Sequence, residues 1–247
     1  GFDAQSLQQV SLVVENNGQY CLNHLYKVCN WLVPVGSASP FCTACQLNRT
    51  IPDLTKPEYL ENWNAIEIAK HRLVYQLLRL QLPVVSKDQD EVHGLAFDFI
   101  ADDKTAVKKK VFTGHDNGLI TINIAEADDI AREMARKQMD EVYRTLLGHF
   151  RHEIGHYYWD RLIANTHHLD EFRQLFGDEQ WDYAEAQKKY YADGAPANWN
   201  SNYISAYSTM HPWKDWAETW AHYLHIIDTL ETAYYFGLSV HPINQAM

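Results

Sequence analysis

The stretch Leu146-Leu147-Gly148-His149-Phe150-Arg151-His152-Glu153-Ile154-Gly155-His156-Tyr157-Tyr158-Trp159-Asp160 organises the reading of the whole chain. Leu146, Phe150, Ile154, Tyr157 and Tyr158 recur at helical spacing, which predicts a half-buried helix over 149–165. Residues four apart on a helix lie one turn above each other on the same face. His152 and His156 therefore offer two imidazole nitrogens to one Zn²⁺. Glu153 lies about 100° round from His152, within reach of a water held by that metal without being a ligand itself. The expected chemistry is hydrolysis: the metal acidifies the water, and Glu153, as general base, takes its proton as it attacks a carbonyl. The plain alternative is a helix whose histidines make ordinary hydrogen bonds. His149 and Asp160 share this face, each either orienting a ligand imidazole or making an ordinary polar contact.

A catalytic zinc takes a third protein ligand and keeps one open position. An extension of the motif needing glycine at position 159 and histidine at position 162 is excluded by Trp159 and Leu162. The better source is His211-Pro212-Trp213-Lys214-Asp215-Trp216-Ala217-Glu218-Thr219-Trp220-Ala221-His222, where Pro212 suits a helix start. Asp215, Glu218 and His222 fall on one face. Glu218 stands among Trp and Ala neighbours, where an unpaired carboxylate is costly. Asp215 is expected in the first turn, satisfied by the helix dipole and solvent. Glu218 is thus the expected third ligand, with His222 placed to hydrogen-bond its carboxylate or to reach substrate. Tyr203, Tyr207 and His211 precede this helix, and each either stabilises an oxyanion or packs with the other aromatics.

The chain has 247 residues, 46% hydrophobic and 13% aromatic, enough to bury a substantial core and far from the composition of a disordered protein. A formal net charge of −11 argues against nucleic-acid binding, which needs a clustered basic surface. The basic run Lys108-Lys109-Lys110 reads as a solvated strand edge or loop. No apolar run is long enough to span a membrane, and Gly1-Phe2-Asp3-Ala4-Gln5 lacks the features of a signal peptide, so a cytoplasmic location is expected.

All four cysteines, Cys21, Cys29, Cys42 and Cys45, lie near the start, which marks residues 1–55 as a small separate unit. Only Cys42 and Cys45 have the spacing of a standard knuckle. In a reducing compartment, one closed structural zinc held by all four is expected over two disulfides or free thiols. His24 is a further donor able to stand in for Cys29. Beyond residue 56 the periodicity predicts a helix through Ile66, Ala69, Leu73, Leu77 and Leu80, stopped by Pro83. Strands follow at 94–100, 111–113 and 119–124, the last two joined by the hairpin signal Asn117-Gly118. Helices are then expected over 129–146, 149–165, 168–176, 180–192 and 212–230. Strands followed by helices indicate an α+β domain.

These stretches resemble a family of bacterial zinc-binding metallopeptidases with an N-terminal zinc-ribbon-like region. The resemblance is carried by Cys29-Asn30-Trp31-Leu32, by Cys42-Thr43-Ala44-Cys45 continuing to Asp53-Leu54, and by 118–128, 143–160 and 215–222. It implies a zincin-like domain over 56–247 and a zinc-ribbon-like unit over 1–55, with further cysteine-bearing sequence preceding Gly1. It also maps the third ligand of gluzincin-type peptidases onto Glu218, in the pair Ala217-Glu218. The resulting expectation is a zinc hydrolase acting on peptides or proteins, with one catalytic and one structural zinc and strand 119–124 as the edge of the cleft. Two rivals stand beside it: a non-catalytic zinc-binding regulatory module on the same scaffold, and a hydrolase of non-peptide amides or esters.

Overall fold

The computed structural model describes residues 2–4, 8–9, 18–102, 111–128 and 145–239. The expected helix over 129–146 and the run Lys108-Lys109-Lys110 fall outside these residues, apart from the last two positions of that helix. Two short antiparallel pairs open the chain, β1 (Phe2–Asp3) with β2 (Gln8–Gln9), and β3 (Gly18–Tyr20) with β4 (Leu32–Pro34). β5 (Asn48–Thr50) leads into the long helix α1 (Pro57–Arg79), with proline in the first turn, where its missing N–H costs nothing. Trp63, Ile66, Leu73, Val74 and Leu77 of α1 are wholly buried.

A four-stranded sheet of order β5-β6-β8-β7 is built from β5, β6 (Ala96–Ile100), β7 (Gly114–Asp116) and β8 (Leu119–Asn123). β5, β6 and β8 run parallel, and β7 returns antiparallel to β8. Ala96 to Phe99 are buried, as a central parallel strand covered on both faces requires. The hairpin forms at Asn117-Gly118, with φ of 46° and 79°, the left-handed pair that a two-residue turn demands. Its first strand is 114–116 rather than the expected 111–113, because pairing starts at the residues that flank the turn, Asp116 opposite Leu119. A second correction concerns the cleft: β8 is hydrogen-bonded on both sides, so among the described residues the outer strands of the sheet are β5 and β7.

Four helices follow among the described residues: α2 (Leu146–Leu162), α3 (Leu169–Phe176), α4 (Tyr183–Asp193) and α5 (Pro212–Tyr235). Thr145 caps α2 by accepting from the Gly148 amide, and Asp182 caps α4 by accepting from the Glu185 amide. α5 crosses α2 at Gly155, where an added Cβ would lie 3.1 Å from Ala217 Cα and 3.2 Å from Trp220 Cβ. The indole N–H of Trp216 donates to the Gly155 carbonyl at 2.9 Å, and Tyr158 stacks on Trp220. Arg151, fully buried on α2, pairs with Asp228 and His225 of α5. Mixed helix and sheet in this order make an α+β fold.

The apolar core runs unbroken from Cys21, Trp31 and Leu47 through α1 and the sheet to Phe150 and Leu224. Residues before 56 therefore share a sheet and a core with those after it. A bidentate Arg49–Asp98 pair ties β5 to β6.

Candidate metal centres

The helical register of α2 places His152, Glu153 and His156 as their spacing requires, with Ile154 and Phe150 of the same helix wholly buried. The Lys214 ammonium from α5 lies 3.2 Å from His152 Nε2 and 3.1 Å from His156 Nε2. An ammonium only donates, so both Nε2 atoms present lone pairs to one shared point. His152 Nδ1 donates to Glu218 Oε1 at 2.7 Å, which fixes the matching tautomer. Two imidazoles aimed at a point already marked by a cation fit a divalent metal at those two donors.

The structure thus brings Glu218 to His152, but on Nδ1 rather than at the shared point. That is where a carboxylate orients a metal-binding imidazole. Glu218 Oε2 also accepts from the Ser205 hydroxyl at 2.8 Å. Burial pushes the Glu218 carboxyl up, but hydrogen bonds and charge from His152, Ser205 and His222 outweigh it and hold it at about 2. His156 is held well below the usual imidazole range, mainly by burial and then by Lys214, and so stays neutral.

Other expected residues lie differently. Asp215 is buried, not solvent-facing, because the 3-10 turn 207–210 covers the first turn of α5. Burial raises its carboxyl to about 6, partly offset by Ser208. His211 caps α5, accepting from the Trp213 amide while Nε2 donates to the Trp181 carbonyl, so both nitrogens are spent on structure. His222 donates to the Glu218 backbone carbonyl, not its carboxylate. His149 faces Glu126, and Asp160 faces His115 at 4.0 Å; neither is paired with His152 or His156. Tyr203 is exposed, whereas Tyr207 is half-buried and tilts over the His152 ring with its hydroxyl's pKa pushed up by burial.

Three neighbours were not anticipated. Lys214 stands one helical turn before Glu218 on α5, and only the packing of α5 against α2 carries its ammonium between the two imidazoles. His115 on the edge strand β7 lies parallel to the His156 ring with centroids 6.3 Å apart. Ser205 carries no signal in the sequence.

The second centre is made of Cys21, Cys29, Cys42 and Cys45, whose sulfurs all lie within 4.8 Å of one another. All four are free and buried, so two disulfides are not formed. Cys21 and Cys29 bracket the 3-10 turn 22–26, and β4 and the turn at 45–47 return the chain to them. The Cys42 amide donates to Cys21 Sγ and the Trp31 amide to Cys29 Sγ, bonds that suit thiolates. Neighbouring sulfurs and burial push the Cys29, Cys42 and Cys45 thiols up, whereas bonds from those three hold Cys21 down. His24 stacks on Tyr20 and donates to the Cys29 carbonyl, outside the cluster. A closed quartet of soft donors fits a structural zinc.

Residues 59–247 match the family described as "Putative zinc-binding metallo-peptidase", and residues 3–56 match a zinc-ribbon domain. The chain belongs to that zinc-binding metallopeptidase family. It is 45% identical over 240 residues to uncharacterized proteins of Mycobacterium tuberculosis and Mycobacterium bovis, across 97% of this chain and 69% of each relative. No solved structure matches. Among the described residues no helix is long and apolar enough to cross a membrane.

Proposed function

We propose that the protein is a zinc-dependent peptidase in which His152 and His156 hold the ion, Glu218 is the third protein group of the centre, and Glu153 is the general base. The observation that carries this reading is the convergence of two Nε2 lone pairs beside Glu153 on a buried helix. Zinc bound there supplies the Lewis acidity that polarises a carbonyl and acidifies water. Glu153 takes the proton from the attacking water and passes it to the leaving amine. Glu218 holds His152 through Nδ1, and Lys214 gives up its place between the imidazoles when the ion enters. A substrate peptide pairs in extended form with the outer edge of β7, which has no other strand beside it among the described residues, and this brings it alongside His115 and His156. The four cysteines hold a second, structural zinc.

Cleavage of a peptide library by wild type and by Glu153→Gln tests the reading. The variant should keep its metal and lose hydrolysis; an active variant removes Glu153 from the role of base. The Lys214 ammonium between the imidazoles favours a second reading, a non-catalytic scaffold with the lysine in place of the ion. Metal analysis separates the two, because that scaffold holds zinc only at the cysteines. Amide and ester libraries separate peptides from other acyl substrates.

A further inference from the structure

His71, on α1, is separated in sequence from the four cysteines, yet its Nε2 lies 3.3 Å from Cys29 Sγ, 3.9 Å from Cys42 Sγ and 3.8 Å from Cys45 Sγ. Its other nitrogen lies 2.7 Å from the Glu67 backbone carbonyl. A carbonyl only accepts, so Nδ1 carries the hydrogen, and the neutral ring turns its Nε2 lone pair toward the sulfurs. The ring is also held by Trp31, edge-on at 5.0 Å.

The distances can be compared with those a tetrahedral zinc requires. Zinc–sulfur bonds of about 2.3 Å and zinc–nitrogen bonds of about 2.0–2.1 Å put sulfurs ~3.8 Å apart and nitrogen ~3.5 Å from each sulfur. Cys29 and Cys42 are 3.7 Å apart, and the three Nε2 distances bracket the second value. Cys29, Cys42 and Cys45 therefore form a face that Cys21 completes as a four-thiolate set and His71 completes as a three-thiolate, one-imidazole set.

We propose that His71 is a fifth donor of the N-terminal metal centre, able to complete the coordination of a zinc ion in place of Cys21. The centre then belongs to both family-matched regions, because one of its donors stands on the first helix of the downstream region. Lys70, fully buried beside His71, pairs with Glu67 at 2.9 Å and with Asn48. This network fixes the turn of α1 that presents the imidazole. The inference rests on the metal reading of the cysteines and is independent of peptidase activity.

Cobalt(II) substitution tests it, because thiolate-to-cobalt charge transfer reports only ions bound at the cysteines. Wild type should bind one such ion. Cys21→Ala should still bind one, with weaker charge transfer and ligand-field bands moved to higher energy by nitrogen. Cys21→Ala/His71→Ala should bind at least about 10–100-fold more weakly than Cys21→Ala. Equal affinity of the single and double variants overturns the proposal. Absence of any thiolate-bound cobalt in wild type overturns the metal reading and the proposal with it. If Cys21→Ala does not fold, His71→Ala in the full cysteine background decides: zinc transfer to a chelator should accelerate about tenfold, and an unchanged rate overturns the proposal.

Discussion

The Glu218 carboxylate and the His152 ring are joined by a 2.7 Å hydrogen bond at Nδ1, across 66 residues of chain. It fixes which nitrogen of His152 keeps a free lone pair, and in the proposed metal centre it would make the position of α5 a determinant of affinity.

Glu218→Ala should weaken zinc binding at the histidine centre about 10–100-fold, as loss of an orienting partner does. Glu218→Gln keeps an acceptor for Nδ1–H and should recover most of that loss. Chelator competition on both variants measures it. A glutamine variant as weak as alanine would instead place the carboxylate on the metal itself.

Lys214→Met should tighten zinc binding at the same centre. The ammonium and the ion compete for one point, and the apparent affinity is reduced by the fraction of molecules in which the lysine holds it. If that fraction is roughly 90%, the gain is about tenfold. Calorimetric titration of metal-free protein would show it, and weaker binding would mean that the lysine supports the ion.

Gly155→Ala should cost about 1 kcal/mol of stability. The new methyl meets Ala217 Cα and Trp220 Cβ, neither of which can swing aside. Overpacking of this kind costs about 1–3 kcal/mol, offset by about 1 kcal/mol of helix propensity. Thermal unfolding gives the stability; an increase would show that α5 yields at this crossing.

Asp98 links stability to pH. Burial acts to raise its carboxyl, but the bonds from Arg49 and Thr50 prevail and hold it below its ordinary 3.8. A depressed folded pKa means stability that is present above the unfolded value and lost as pH falls through the folded one. Asp98→Asn should therefore cost about 1–2 kcal/mol near neutrality, allowing for the half-exposed Arg49. That difference should shrink below about pH 4, as the wild-type carboxylate protonates. Denaturation of both proteins across acid pH checks it; a constant difference would sink the linkage.

Metal analysis should find two zinc ions per chain, one of them lost in Cys42→Ser. Because thiolate–zinc binding is coupled to folding, chelation should also open residues 18–50 to proteolysis. One zinc together with cleavage-resistant cysteines would contradict it.

What the sequence disclosed was mostly local. The spacing of His152 and His156, the Asn117-Gly118 turn and the proline at the start of α5 each rest on a few neighbouring residues and a fixed helical or turn geometry. What it concealed depends on contacts between distant segments. Asp215 reads as a solvated first-turn acid, and only the 3-10 turn laid over it makes it buried. Lys214 reads as a surface lysine until α5 is set against α2. β8 reads as a cleft edge because nothing in 119–123 shows that β6 pairs with the side opposite its hairpin partner. His71 stands 42 residues from Cys29, with no spacing rule to connect them.

The parallel pairing of β5 with β6 bears on how the chain can be divided. A protein cut after residue 55 would lose its outermost strand and the guanidinium that neutralises Asp98. β6 would then carry a bare row of amides and carbonyls on a strand rich in phenylalanine, a surface that invites intermolecular strand pairing and aggregation. Removing the cysteine-bearing segment to obtain a minimal downstream piece should therefore yield insoluble material, because that segment covers the edge of the sheet beside it.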